Sequence, residues 1–229
     1  MTPGLQEPIF CLVTDGQRTR RGRESFDEVV ELVRHAAAAG VNLVQVRERS
    51  LDDRRLLALT RSIVHAVEGT SAKVVVNDRV DIALAAGADG VHLRADSPPA
   101  AAVRAMVPAE FLIGRSVHGE AEAIEAGGTG VDYLVLGTIF PTASKPAGAA
   151  LLGLEPLKRA AAAIHVPILA IGGITADRVG SLPAAGAAGF AAIGLFAGLP
   201  GEPDGELDAE LQTLMTSLRA AFREGAGLR

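Results

Sequence analysis

The chain has 229 residues, 22 Lys plus Arg against 27 Asp plus Glu for a formal charge of −5, and one cysteine. A hydrophobic share of 48% excludes a largely disordered chain, and the lone Cys11 excludes an internal disulfide. With no basic excess, no Trp and 3% aromatic residues, the chain lacks the basic patches and stacking platforms that mark nucleic-acid partners.

Short runs rich in Val, Ile and Leu recur at residues 9–14, 43–47, 73–77, 90–93, 111–114, 133–137, 167–172 and 189–194. They are continuously apolar rather than alternating, as in strands of a parallel sheet covered on both faces. Ala- and Leu-rich segments of helical length follow them at 26–39, 52–67, 80–86, 100–107, 120–126, 155–163, 177–185 and 210–223. Gly40, Gly87 and Gly186 are placed to cap helices in the left-handed conformation, and Thr175 to cap one at its start. Eight strand–helix pairs in strict alternation predict an α/β fold, a single (β/α)8 TIM barrel with its core over about 9–224. An open doubly wound sheet is the alternative. No composition break divides the chain, so one domain over 1–229 is expected. Residues 198–208 read as a surface loop, and Arg18, Arg20, Arg21 and Arg23 as a solvated one. His35, His65 and His165 fall on or beside helices, where an outer position is expected.

The N-terminal residues carry no basic flank or apolar run of a signal peptide, and the apolar stretch at 167–174 is too short to cross a bilayer. These features predict a cytoplasmic protein without a membrane partner. The Ala-rich helix faces leave a homo-oligomer open.

Barrel active sites lie where strands end, so the residues after each run carry the chemistry. After the second run comes Gln45-Val46-Arg47-Glu48-Arg49, in which Gln45, Arg47 and Arg49 share one face of an extended chain. Two guanidiniums beside an amide suit a diphosphate; the plainer alternative is an ion pair with Glu48 or Asp52. Asn77-Asp78 follows the third run, and His92 to Ser97, with Asp96, follows the fourth. Asp78 and Asp96 are hard oxygen donors of the kind that hold Mg2+ together with water and substrate phosphate, although an Asp at position 78 also suits a helix cap. His92 has no second His or Cys at metal spacing and reads as an interior hydrogen-bonded residue. Ser116 and His118 after the fifth run lack a third orienting group, so they read as substrate contacts rather than nucleophile and base. The connection after the sixth run carries Thr142-Ala143-Ser144-Lys145, hydroxyls and a cation suited to phosphate oxygens. Gly172-Gly173 and Ile193-Gly194 end the last two runs, where barrels form a phosphate cup from backbone N–H groups. Two phosphorylated ligands, one of them with a metal, are the expected partners.

Gln45-Val46-Arg47-Glu48-Arg49, Val76-Asn77-Asp78-Arg79, Gly90-Val91-His92-Leu93, Gly137-Thr138-Ile139-Phe140-Pro141-Thr142 with Ser144-Lys145, and Ala170-Ile171-Gly172-Gly173-Ile174 together resemble the thiamine-phosphate synthase superfamily, which includes thiazole tautomerase. The resemblance runs over about 9–196. It implies a TIM barrel transferase of thiamine biosynthesis that joins hydroxymethylpyrimidine diphosphate to thiazole phosphate, with Mg2+, by a dissociative loss of diphosphate. It further implies that Gln45, Arg47, Arg49, Asn77, Ser116 and Lys145 hold the pyrimidine diphosphate, with Arg47, Arg49, Ser116 and Lys145 acting in catalysis. Asp78 and Asp96 are then the metal ligands. Thr142, Ala143, Ser144, Gly173, Ile193 and Gly194 surround the thiazole phosphate. Arg47-Glu48-Arg49-Ser50 and Gly114-Arg115-Ser116-Val117-His118 also resemble the tautomerase, which shifts a proton without diphosphate or metal. That enzyme carries a His where this chain has Thr138, and Asp78 and the Thr-x-Ser-Lys stretch fit the synthase instead. A barrel that binds the thiazole phosphate without turnover is the third reading.

Overall fold

The computed structural model of the chain describes residues 5–16, 26–142, 150–197 and 204–227. Its strands are β1 (Ile9–Val13), β2 (Leu43–Val46), β3 (Lys73–Asn77), β4 (Gly90–Leu93), β5 (Leu112–Val117), β6 (Tyr133–Gly137), β7 (Ile168–Ile171) and β8 (Gly189–Ala192). They pair in parallel and in chain order around a closed barrel, with Phe10 of β1 opposite Phe190 of β8 at the seam. That pairing excludes the open sheet. The connecting helices are α1 (Asp27–Ala38), α2 (Asp53–Ala66), α3 (Val80–Ala86), α4 (Ala100–Arg104), α5 (Glu120–Gly127), α6 (Leu154–Ala163), α7 (Ala176–Val179), α8 (Gly194–Ala197) and α9 (Asp204–Gly225).

The continuous apolar runs have a direct cause: both faces of every strand are dry. Cys11, Leu43, Val75, Leu112, Tyr133 and Leu169 meet inside the barrel. Their neighbours Phe10, Val44, Val74, Ile113, Leu134 and Ala170 point outward under the helices. Gly40, Gly87 and Gly186 have φ of +105°, +73° and +78°, the left-handed turn that brings the chain back to the next strand.

Four features depart from the sequence reading. β5 runs on to Val117, which carries Ser116 inside a strand. The helix expected over 177–185 breaks into α7 and a 3-10 turn at Pro183–Ala185, where Pro183 has no N–H to donate to a continuing helix. Thr175 takes the position before α7, but its hydroxyl bonds to Asp177 rather than to a backbone N–H. Finally, α9 begins inside the segment expected as a loop to 208. Leu207, Leu211, Met215, Leu218 and Phe222, three or four residues apart, form a buried stripe that extends the helix back. Phe222 lies edge-on to Phe10 at 5.8 Å, and Phe10 stacks on Phe190 at 4.9 Å, so this helix covers the seam where first and last strands meet.

His35 is buried, with its Nδ1 3.4 Å from the Asp208 carboxylate, whereas His65 and His165 are exposed as expected. The difference comes from α9, which lies across the face of α1 that carries His35. Among the described residues no helix is long and apolar enough to cross a membrane. The Arg18 to Arg23 stretch lies outside the described residues.

Candidate active site

Side-chain alternation places a polar layer above the apolar interior at the carboxyl ends of the strands. Gln45 is 4% exposed and its Nε2 donates to Asn77 Oδ1 at 3.1 Å, so both amides are held across β2 and β3. In β4, next to Asn77, His92 is buried with Nε2 2.8 Å from Ser116 Oγ and Nδ1 3.1 Å from the Tyr133 hydroxyl. Burial, with a smaller contribution from the positive field of Arg47, pushes His92 down to about 3. The ring is therefore neutral, with one N–H and one lone pair, so one hydroxyl donates to it and the other accepts. Gly114 makes room for this chain: a Cβ there would stand 2.1 Å from the Tyr133 ring. His118, beyond β5, donates from Nδ1 to the Gly137 carbonyl at 3.0 Å and takes no part. Ser116 is thus a hydroxyl on the inward face of β5, positioned by His92.

A depressed histidine has a testable consequence for stability. Above pH 6.5 His92 is neutral in both folded and unfolded chains and contributes no pH dependence. As pH falls from 6.5 towards 3 only the unfolded chain takes up the proton, so stability declines. Between pH 7 and pH 5 the native protein should lose about 2 kcal/mol more than His92→Gln, measured by urea unfolding at both pH values. Equal losses in the two proteins would show that His92 is not held neutral.

The cationic side is built by β2 and the turn after it. Arg47 is half-buried and its N–H donates to Thr14 Oγ1 at 2.9 Å. Burial and then the like charge of Arg49 lower its pKa, with Arg94 adding repulsion and Asp15 and Glu48 opposing it. Both partners a surface ion pair would use also accept from backbone N–H groups. Glu48 is buried and accepts from the Gly16 N–H at 3.1 Å, and Asp52 caps α2 by accepting from the Arg55 N–H at 2.9 Å. β2 ends at Val46, so Arg49 does not continue its inward face; it is exposed in the following turn and reaches Arg47 through its field.

Asp78 stands at the end of β3 with φ +65°, and its N–H continues the ladder by donating to the His92 carbonyl at 2.9 Å. It does not cap α3, whose first flanking residue is Arg79. Instead its Oδ1 accepts from Ser97 Oγ, and its Oδ2 lies 3.4 Å from Arg94 Nη1. The other arm of Arg94 pairs with Asp96. Arg115 fixes this loop by donating to the carbonyls of Ala95 at 2.8 Å and Pro98 at 3.1 Å. Sequence reasoning did not assign Arg94 or Arg115 to the site, because what they do depends on which loop faces them. Among the described residues no group of three or more His, Cys, Asp or Glu could hold a metal on its own.

The opposite rim has a different character. The chain beyond β6 follows β7, with the Phe140 N–H donating to the Gly172 carbonyl at 3.0 Å. Gly173, at φ +63°, packs so closely that a Cβ would be 2.3 Å from the Pro141 carbonyl oxygen. Arg178 secures the contact, donating to the Gly173 carbonyl at 2.8 Å and lying over the Phe140 ring at 5.3 Å. Ile171 and Ile193 close the top of the interior here, with Gly194 exposed just beyond. Thr142 is half-buried at the end of the described loop. Ala143, Ser144 and Lys145, expected to bind phosphate, lie outside the described residues.

Residues 10–196 match the family model described as thiamine monophosphate synthase. A thiamine-phosphate synthase of Methanoculleus marisnigri is 41% identical over 214 residues, 93% of this chain and 97% of that protein. One of Chlorobium luteolum is 38% identical over 213 residues, 93% of this chain and 95% of its own. Among solved structures, thiamine phosphate pyrophosphorylase from Pyrococcus furiosus superposes with a TM-score of 0.75 at 29% identity, covering 93% of this chain and 96% of that one.

Proposed function

The chain belongs to the thiamine monophosphate synthase family, and we propose on that premise that it joins hydroxymethylpyrimidine diphosphate to thiazole phosphate and releases diphosphate. The observation that supports this reading most is the crowding of Arg47, Arg49 and Arg94 at one rim, where repulsion and burial lower the pKa of Arg47. Such a cluster is stabilised by a polyanion, and we assign two of its members, Arg47 and Arg49, to the diphosphate.

The reaction breaks the bond between the pyrimidine methylene carbon and a diphosphate oxygen, and the electron pair leaves with that oxygen. The thiazole nitrogen then gives its lone pair to the methylene carbon, and no proton has to move. Arg47 and Arg49 stabilise charge on the departing diphosphate, with Lys145 assigned the same task. Gln45, Asn77 and Ser116, positioned by one another and by His92, orient the pyrimidine. Gly173, Ile193, Gly194 and Thr142 receive the thiazole phosphate on the opposite rim, and Ala143 and Ser144 are assigned to the same ligand. Its apolar and glycine surface suits an aromatic ring and backbone-bound phosphate.

The donor set fits Mg2+. This ion is ordinarily held by one or two carboxylates together with substrate phosphate, and Asp78 with the Ser97 hydroxyl offers such a partial shell. Asp78 would hold it, with Asp96 joining once its pairing with Arg94 is released. Bound there, Mg2+ supplies positive charge to the diphosphate leaving group. We place the enzyme in the cytoplasm, a compartment consistent with a free, buried cysteine.

Incubating the protein with both substrates should yield thiamine phosphate with Mg2+ and little or none after chelation. Conversion of the thiazole carboxylate tautomer alone, without condensation, would establish the tautomerase reading instead. Tight binding of thiazole phosphate with no product from either assay would leave the non-catalytic barrel.

A further inference from the structure

We propose that Arg94 competes with a divalent cation for the Asp78 carboxylate and exchanges that carboxylate for diphosphate when both ligands arrive, a role that rests on the metal reading of Asp78. The guanidinium bridges the two candidate metal carboxylates, with Nη1 3.4 Å from Asp78 Oδ2 and Nη2 paired with Asp96. One positive charge therefore lies between two carboxylates, where a second cation has to displace it or share them. The side chain is 44% exposed and can turn without disturbing the core.

The backbone beneath it is fixed. The Arg94 N–H donates to Ser97 Oγ at 2.8 Å, the Ser97 N–H returns to the Arg94 carbonyl at 3.2 Å, and Arg115 ties down the rest of the loop. Ser97 links the two roles, since the oxygen that accepts from Arg94 donates to Asp78. Release of the guanidinium is then a side-chain rotation about a stationary loop. Arg94 already contributes to the repulsion felt by Arg47, so its charge acts on the region assigned to diphosphate. Freed from Asp78 by a metal ion, it becomes a third guanidinium available to the anion. Without diphosphate it opposes metal binding, and with diphosphate present it favours the loaded site.

The test uses Arg94→Gln, an exposed substitution that leaves the barrel intact, and calorimetric titration with two probes: Mn2+ alone, and the preformed complex of Mg2+ with inorganic diphosphate. Mn2+ should bind roughly fivefold more tightly to Arg94→Gln than to the native protein. The magnesium diphosphate complex should bind roughly tenfold more weakly. Opposite shifts are the signature, because loss of loop structure alone would move both affinities the same way. Unchanged Mn2+ affinity, or shifts of the same sign, would overturn the role of Arg94. Asp78→Asn, titrated in parallel, separates the two readings. If Mn2+ binding is indifferent to Asp78, the metal assignment fails and this role fails with it. If binding needs Asp78 but ignores Arg94, only this role fails.

Discussion

Asp78→Asn should lower Mg2+-dependent formation of thiamine phosphate by about a thousandfold while leaving the barrel folded. The substitution is chosen for the backbone as much as for the charge. Residue 78 sits at φ +65°, where most side chains are strained but Asn is tolerated nearly as well as Asp. Asn keeps a carbonyl oxygen to accept from Ser97 Oγ, and the strand-end bond to the His92 carbonyl is a backbone one. What it removes is the anionic oxygen facing Arg94 and the charge a divalent cation would need. Thermal unfolding should therefore move little, and kcat should collapse at saturating substrate. Asp78→Ala confounds this comparison, because it adds about 1–2 kcal/mol of backbone strain to the loss of charge. Mg2+-dependent activity within tenfold of the native enzyme in Asp78→Asn, with the fold intact, would refute the metal assignment.

Arg47→Gln should reduce kcat/KM by about a hundred- to a thousandfold, the usual cost of removing one charged donor from a developing anion. Arg47 is held where it acts: its backbone is anchored to Thr14, and it is the half-buried member of the cationic rim. Its environment penalises the charged state through burial and through Arg49, so the guanidinium is destabilised until an anion arrives. Binding of diphosphate relieves that penalty. Arg47→Lys keeps the charge but loses the bidentate fork, and it should recover part of the activity without reaching the native value. The corresponding change at Arg49, which is exposed in the turn, should be milder because water screens it. Equal losses at the two positions would show that depth in the barrel mouth is not what sets their contributions.

Much of the site was legible in the sequence because barrel chemistry collects at strand ends, and each strand announces itself as a continuous apolar run. Gln45, Arg47, Asn77 and Asp78 are candidates on that ground, and the structure does bring the Gln45 and Asn77 amides together. The reading was weaker wherever the partner lies on another strand. Ser116 and His118 are close in sequence, yet Ser116 bonds to His92, 24 residues away and on the adjacent strand. Alternation explains why: with β5 continuing to Val117, Ser116 shares the inward face with Leu112 and Gly114, and His118 falls beyond the strand. Arg94 was legible as a residue but not as a bridge, since its two acids stand at different distances along the chain and meet only across a loop turn. His35 looked external on its own helix, because the helix that covers it arrives 173 residues later.

By itself the sequence determined an α/β chain of eight alternating strand–helix pairs and the residue types that end each strand, whereas closure into a barrel rather than an open sheet was decided by the strand pairing. The first two follow from local quantities: apolar run length, helical periodicity and the residue types that end each run. Tertiary structure alone decided which groups meet: Ser116 with His92, Arg94 between Asp78 and Asp96, α9 over the seam of β1 and β8, and Gly173 against Pro141. Those contacts depend on strand register and loop closure, which no local window of the chain contains.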